Sequence, residues 1–241
     1  MQIPLRGILL QTIRHNDRND IITLFTEQRG RVTLLSPSGS TRNSRMRRAR
    51  LAPLALIETQ VNFRENRDLQ FLGEVATPHP WRNIYFDPMK GAIAIFIGEF
   101  LNKLLRTSEP DVPMWRFLLH AIDALDTARR GVANYHLAFL IRTLPFVGIL
   151  PDIDTYAPGS WFDLRAGAFT EEIPVHTDYL HPAEAGVIPL LLRMNFHNMH
   201  SYRFNVDQRR RLLNILLRYY SIHLPIGDQL RSLDVLRDLF T

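Results

Sequence analysis

Gly7-Ile8-Leu9-Leu10-Gln11-Thr12-Ile13, Ile21-Ile22-Thr23-Leu24-Phe25-Thr26 and Arg31-Val32-Thr33-Leu34-Leu35 are three short runs rich in strand-forming residues. The polar segment His15-Asn16-Asp17-Arg18-Asn19-Asp20 separates the first two, and Gly30 permits a tight turn into the third. Downstream, Leu54-Ala55-Leu56-Ile57-Glu58-Thr59-Gln60-Val61-Asn62-Phe63 makes a fourth run and Leu69-Gln70-Phe71-Leu72-Gly73-Glu74-Val75 a fifth. Five short antiparallel strands in about 75 residues fit a small closed or nearly closed barrel, because closure removes exposed edges. An OB-type barrel is the expected form, and such barrels bind single strands through a basic, partly aromatic face.

Beyond residue 80 the apolar period changes from two to a helical repeat. Asp87-Pro88 is a helix start, with the carboxylate as cap and proline in the first turn. Ile93, Phe96, Ile97, Phe100, Leu101 and Leu104 then mark one face at three- and four-residue steps. Pro113 opens a second helix with the face Phe117, Leu118, Ala121, Ile122 and Leu125, and a third runs from Tyr135 to Arg142 and stops near Gly148. A segment at about 151–180, broken by Pro151, Pro158, Gly159, Gly167 and Pro174, reads as irregular. Helices are expected again over Val187–Met199, Asp207–His223 and Ser232–Phe240. The expected architecture is α+β and multidomain: a five-stranded OB-type β-barrel at residues 1–80, followed by a mainly α-helical domain at residues 81–241.

The link between the third and fourth strands is chemically the most pointed part of the chain. From Ser36 to Leu51 it holds five arginines and no acidic residue: Arg42, Arg45, Arg47, Arg48 and Arg50. It opens on the turn-rich Ser36-Pro37-Ser38-Gly39-Ser40 and is expected to be a flexible loop. Residues 1–80 carry twelve arginines against seven acids, whereas residues 81–241 carry seventeen basic and seventeen acidic residues, so the net +5 resides in the first third. Such a footprint attracts polyanions, nucleic acid foremost. Only Lys90 and Lys103 are lysines, and arginine's planar fork grips phosphate oxygens in pairs.

Other chemistries find little support. Zero cysteines exclude disulfides and cysteine-ligated metal sites. No apolar run approaches a membrane span and the N-terminus lacks the pattern of a signal peptide, so a cytoplasmic location is the default expectation. Gly39-Ser40-Thr41 lacks the lysine and second glycine of a phosphate loop. His197 and His200, three apart on an expected helix, miss the four-residue spacing and glutamate of a catalytic zinc helix, and His176 and His181 have no evident third ligand. No catalytic residue, metal or cofactor is expected, and the chain does not read as an enzyme.

Several blocks, taken in order, resemble the RecO family of bacterial recombination mediators in a cysteine-free form. They are Arg6-Gly7-Ile8-Leu9-Leu10, Asp20 through Arg31 with Phe25-Thr26-Glu27 and Gly30, the basic link with Leu51-Ala52-Pro53-Leu54, Tyr135 through Arg142 with Gly148-Ile149-Leu150-Pro151, and the closing segments Leu217–Leu224 and Arg231–Leu236. Many relatives follow the glycine–proline exit with zinc-binding cysteine pairs. None is present here, so that lobe is expected to be lost or replaced by packing around Tyr156, Trp161, Phe162 and Phe169.

The resemblance implies a DNA repair protein that binds single- and double-stranded DNA and anneals complementary strands. It also implies partnership with RecR and with the acidic, Phe-ended tail of single-stranded DNA-binding protein, and indirectly with RecA, at the nucleoid and away from membranes. Arg31, Arg42, Arg45, Arg47, Arg48 and Arg50 are the candidate DNA-binding residues; Arg129, Arg130 and Arg142 are the candidate basic neighbours of a tail pocket. An OB-fold RNA-binding or translation-associated module is the alternative reading of the basic barrel.

Overall fold

The computed structural model describes residues 2–39, 42–62, 69–106, 109–226 and 230–238. The expected Phe63 and Phe240 ends of two elements therefore lie outside the described residues, as do Ser40 and Thr41 of the basic link. Five strands close into a barrel: β1 (Gln2–Arg14), β2 (Asn19–Thr26), β3 (Gly30–Pro37), β4 (Leu56–Asn62) and β5 (Gln70–Ala76). Their order is β1-β2-β3-β5-β4, with β4 returning to β1 and β3 pairing parallel to β5, which is the OB connectivity. Alternation decides which side chains enter the barrel: along β3, Val32 and Leu34 point inward while Arg31 and Thr33 are partly exposed. Leu5, Leu9, Ile22, Leu24, Ile57, Val61 and Leu72 complete the core, together with Leu51 from the basic link.

The two faces of β1 bury different partners. Ile8 and Leu10 are buried yet stand apart from the barrel core cluster. Helix α2 (Pro88–Leu104) packs on β1 so closely that a Cβ on Gly98 would lie 2.8 Å from the carbonyl oxygen of Leu10. Helix α3 (Val112–Thr127) brings Trp115 to Phe25 of β2, with ring centroids 6.3 Å apart. Leu54 adopts a left-handed backbone (φ 60°), which costs a non-glycine residue about 1–3 kcal/mol. Its side chain is fully buried, its N–H donates to Leu9, and its carbonyl accepts from the Trp81 indole at 3.0 Å.

The described residues up to Thr127 and those at 230–238, which include α8 (Ser232–Asp238), form one compact unit; those at 128–226 form a second. The barrel's unit thus continues beyond residue 80. Helix α8 joins it through Glu99 of α2, whose carboxylate accepts from the Arg231 and Ser232 amides (2.9 and 2.8 Å) and from the Ser232 hydroxyl (2.6 Å). Burial opposes ionisation of Glu99, but these donors outweigh it and hold its pKa below the ordinary carboxylate value.

In the second unit, α4 (Tyr135–Thr143) is the buried axis: every residue of it except Arg142 is inside. Helix α7 (Val206–His223) begins with a capping box between Asn205 and Gln208 and packs on α4, the Tyr220 hydroxyl donating to Leu140 at 2.7 Å. Two expectations need correction. The segment read as irregular contains a three-stranded sheet of β6 (Trp161–Asp163), β7 (Ala168–Thr170) and β8 (Tyr179–Leu180) in the order β7-β6-β8. The helix expected from Val187 to Met199 is instead α6 (Val187–Leu192), preceded by the single turn α5 (Pro182–Ala185). Asn195 and Asn198 end it: Asn195 accepts from the His197 and Asn198 amides, and Asn198 accepts from the Asn195 amide. Short polar side chains of this kind compete with the helix for its own backbone groups. His197 and His200 therefore do not share a helical face.

Asp126, at the end of α3, joins three elements. Its carboxylate accepts from the amides of Arg82, Asn83 and Ile84 (3.2, 2.7 and 2.9 Å), and its carbonyl from the buried Lys90 ammonium at 2.7 Å. Burial alone would raise its pKa; the three amides and the charge of Lys90 reverse that and depress it. A depressed folded-state pKa contributes stability that is complete above the unfolded value of about 3.9 and disappears as pH falls through the folded value. Asp126→Ala should cost about 3 kcal/mol by stranding these donors, read as a lower denaturation midpoint. Asp126→Asn should flatten the acid limb of the stability profile, measured by denaturation between neutral pH and pH 2.

Candidate nucleic-acid interface

The basic link is not a loop: Arg42–Arg50 form helix α1. Arginine, methionine and alanine are good helix formers, and no glycine, proline or β-branched residue interrupts the nine positions. Nothing apolar organises it, so arginines lie on all sides. Arg42, Arg45 and Arg48 are exposed, and no acidic residue occurs in the helix to neutralise them. Arg47 is partly buried and reaches the Pro37 carbonyl at 3.4 Å. Arg50 donates to the Val75 carbonyl on β5 at 2.6 Å, and Leu51 beyond it enters the barrel core. The helix is thereby pinned at its C-terminal end to the barrel wall.

Arg31 does not join this cluster. It projects from β3 toward α2 and donates to the Asn102 carbonyl at 2.8 Å. Burial, reinforced by the charge of Arg106, lowers its pKa. Four of the six candidate arginines thus share one short helix without a strong structural bond, Arg50 ends that helix tied to β5, and Arg31 buttresses α2.

Helices α2 and α3 occupy the outer side of β1 and β2, while an open groove of about 1170 Å³ follows the start of β1 with β4 and β5. Gln2, Gln60, Asn62, Thr77 and the half-exposed Phe71 line it, with Arg50 at its wall. Arg6 there is paired to Glu58 at 3.6 Å and Glu27 at 3.9 Å. The amides offer donors and acceptors to base edges, and Phe71 a stacking surface. Sequence reading passed over this groove, although Glu58, Gln60 and Asn62 alternate as exposed positions along β4.

The three arginines expected near a partner tail are exposed but do not converge. Arg129 and Arg130 precede the short 3₁₀ turn Val132–Asn134 that leads into α4, whereas Arg142 occupies the last turn of α4. The rise between those ends is about 17 Å. Phe146 and Leu150, both exposed, follow Arg142 around the left-handed turn at Gly148.

In the segment after Pro151, aromatic side chains meet. Phe162 packs on Phe169 at 4.9 Å, Tyr156 on Phe169 at 4.9 Å, and Trp161 on Tyr179 at 5.2 Å and His181 at 4.7 Å. The packing expected around Tyr156, Trp161, Phe162 and Phe169 is present. Asp178 bridges Arg165 and Arg218, each at 2.7 Å, joining the small sheet to α7, and both arginines lower its pKa. His176 lies 3.2 Å from Asp163, while the His181 ring packs on Trp161 at a tilt of 51°. Among the described residues no three His, Cys, Asp or Glu side chains are grouped to hold a metal.

Family comparison agrees with this architecture at both ends of the chain. Residues 1–80 match the model for the recombination protein O N terminal, and residues 85–234 that for the recombination protein O C terminal. The chain belongs to the RecO family. It is 38% identical over 235 residues to a DNA repair protein RecO of Bacteroides fragilis, covering 97% of each chain. A RecO of Phocaeicola vulgatus is 36% identical over 98% of both chains, and one of Porphyromonas gingivalis 35% identical over their full lengths. The resemblance read from the short sequence blocks is therefore shown over the whole chain, and the closed barrel and helical region are those of RecO. Among the described residues, no helix is long and apolar enough to cross a membrane.

With aromatic packing in place of metal ligands, purified protein should contain no stoichiometric zinc, and chelator should leave its melting temperature unchanged. Elemental analysis alongside thermal denaturation checks both.

Proposed function

We propose that this RecO protein is a non-enzymatic recombination mediator. It binds single- and double-stranded DNA, anneals complementary strands, and with RecR helps RecA replace single-stranded DNA-binding protein, working in the cytoplasm at the nucleoid. The observation that carries the DNA-binding step is helix α1, an acid-free arginine helix fixed to an OB barrel. Annealing brings two polyanions together, and a helix with cations on all sides neutralises phosphates from both. An RNA-binding or translation-associated role would use the same helix and barrel but does not account for the family match over both domains.

Replacing Arg45, Arg47 and Arg48 with neutral residues spares the Arg50–Val75 bond, so the variant should melt close to wild type. If all three touch phosphate, the salt dependence of log affinity for single strands should flatten by about 2 units. Annealing should fall more than binding, and sequence preference should not change, since phosphate contacts do not read bases. Binding isotherms across a salt series check this; an unaltered slope would place the DNA site elsewhere. Competition between single-stranded DNA and structured RNA separates the alternative.

The acidic tail of single-stranded DNA-binding protein is proposed to lie along the α4 side of the second unit. Its terminal phenylalanine would rest near Phe146 and Leu150, and its acids would reach Arg142 and, further along, Arg129 and Arg130. About five extended residues span that distance. Charge reversal at these arginines should weaken binding of the tail peptide while leaving affinity for naked DNA nearly unchanged, as fluorescence anisotropy of each labelled ligand would report. Equal loss of both would refute separate sites.

A further inference from the structure

Phe86 is 87% exposed and its neighbour Tyr85 40%, yet the turn that carries them is held by several backbone hydrogen bonds. Asp126 accepts from the amides of Arg82, Asn83 and Ile84. The Asn83 carbonyl accepts from the amides of Phe86 and Asp87 at 3.2 and 3.0 Å. Ile84 is fully buried, and the Asp87 carboxylate is occupied by the amides of Met89 and Lys90. An isolated exposed phenylalanine on a loose loop is unremarkable. Here the backbone is fixed before any ligand arrives, so little ordering entropy remains to oppose a contact.

The surroundings indicate what that contact is. The Tyr85 hydroxyl donates to the carbonyl of Pro53 at 3.4 Å. Pro53 is the third residue after Arg50, so the tyrosine tip is tethered within about 11 Å of chain from the end of the arginine helix. The Arg82 side chain is also exposed beside the turn. The carboxylates bonded to this turn and to the start of the helix after it, Asp126 and Asp87, are each spent on backbone amides. Two adjacent aromatic rings beside a phosphate-binding helix form the combination that holds single strands without sequence preference: cations track the backbone and ring faces stack on bases.

We infer that Tyr85 and Phe86 form a base-stacking platform for single-stranded DNA at the end of helix α1. The inference rests on the DNA-binding reading above and adds to it a site that distinguishes single strands from duplex. In a duplex the bases already stack on one another, so the platform engages only bases that are unpaired. Arginines then supply affinity for any polyanion, and the platform supplies preference for the single strand.

The test uses full-length protein with three probes: oligo-dT, an abasic oligonucleotide of equal length, and a duplex. Phe86→Ala should weaken oligo-dT binding by about tenfold while its salt slope stays that of wild type. Affinity for the abasic strand and the duplex should be unchanged, and Phe86→Trp should retain oligo-dT affinity with its added fluorescence quenched on binding. Because the side chain is exposed, both variants should fold normally. Unaltered oligo-dT affinity in Phe86→Ala, or an equal loss on all three probes, would overturn the platform while leaving the arginine helix as the DNA site. Wild-type protein that binds none of the probes would overturn the DNA-binding reading and the platform with it.

Discussion

The Asp126 carboxylate is the constraint on which the geometry of the barrel's unit depends. A buried anion is costly unless hydrogen-bonded, and this one is satisfied by consecutive backbone amides from the segment that leaves the barrel. Lys90, buried on α2, closes the arrangement by donating to the Asp126 carbonyl. The exit of the barrel, the start of α2 and the end of α3 are thus fixed together. Trp81, immediately before the hub, reaches back to Leu54 at the end of the basic link. The same polar centre therefore sets the direction of the first two helices and the position of the residues that follow the arginine helix.

Helix α1 is a local structure that tertiary contacts keep in place. At nine residues it is shorter than the roughly 12–15 needed for an independent helix in water. Arg42 with Arg45, Arg45 with Arg48, and Arg47 with Arg50 are like charges three apart, each unfavourable by roughly 0.2–0.5 kcal/mol. Leu51 in the barrel core and Arg50 on β5 counter that repulsion at one end only. A bound polyanion would remove the repulsion itself, so affinity for phosphate and helix stability are linked in the same residues.

In the second unit, aromatic packing binds the small three-stranded sheet to α7. Phe162 and Phe169 are buried between Tyr156 and the Tyr219 ring of α7, and the Tyr219 hydroxyl donates to Ile149 at 3.0 Å. Gly167 lies so near that hydroxyl that a Cβ would come within 2.6 Å, and its φ of 66° belongs to the left-handed region. Apolar area and ring contacts supply cohesion there, and Asp178 adds ion pairs to Arg165 and Arg218.

Short-range pattern was enough to reveal the five strands, because alternation along β3 and β4 records which side chains face the barrel. Helical periodicity likewise revealed α2, α3, α4 and α7, and the charge imbalance pointed to the Ser36–Leu51 link. These signals are local, carried by neighbours within a turn or two. The helical state of Arg42–Arg50 escaped that reading because a helix with arginine on every side has no apolar period to detect. Arg31 resembled the other arginines until its partner emerged, a carbonyl 71 residues away on α2. Glu99 capping α8 acts over 132 and 133 residues, and Asp126 meets the Tyr85–Phe86 turn over more than 40. Such pairings are set by chain crossings and by the need to satisfy buried polar groups, and composition or spacing along the chain carries no record of either.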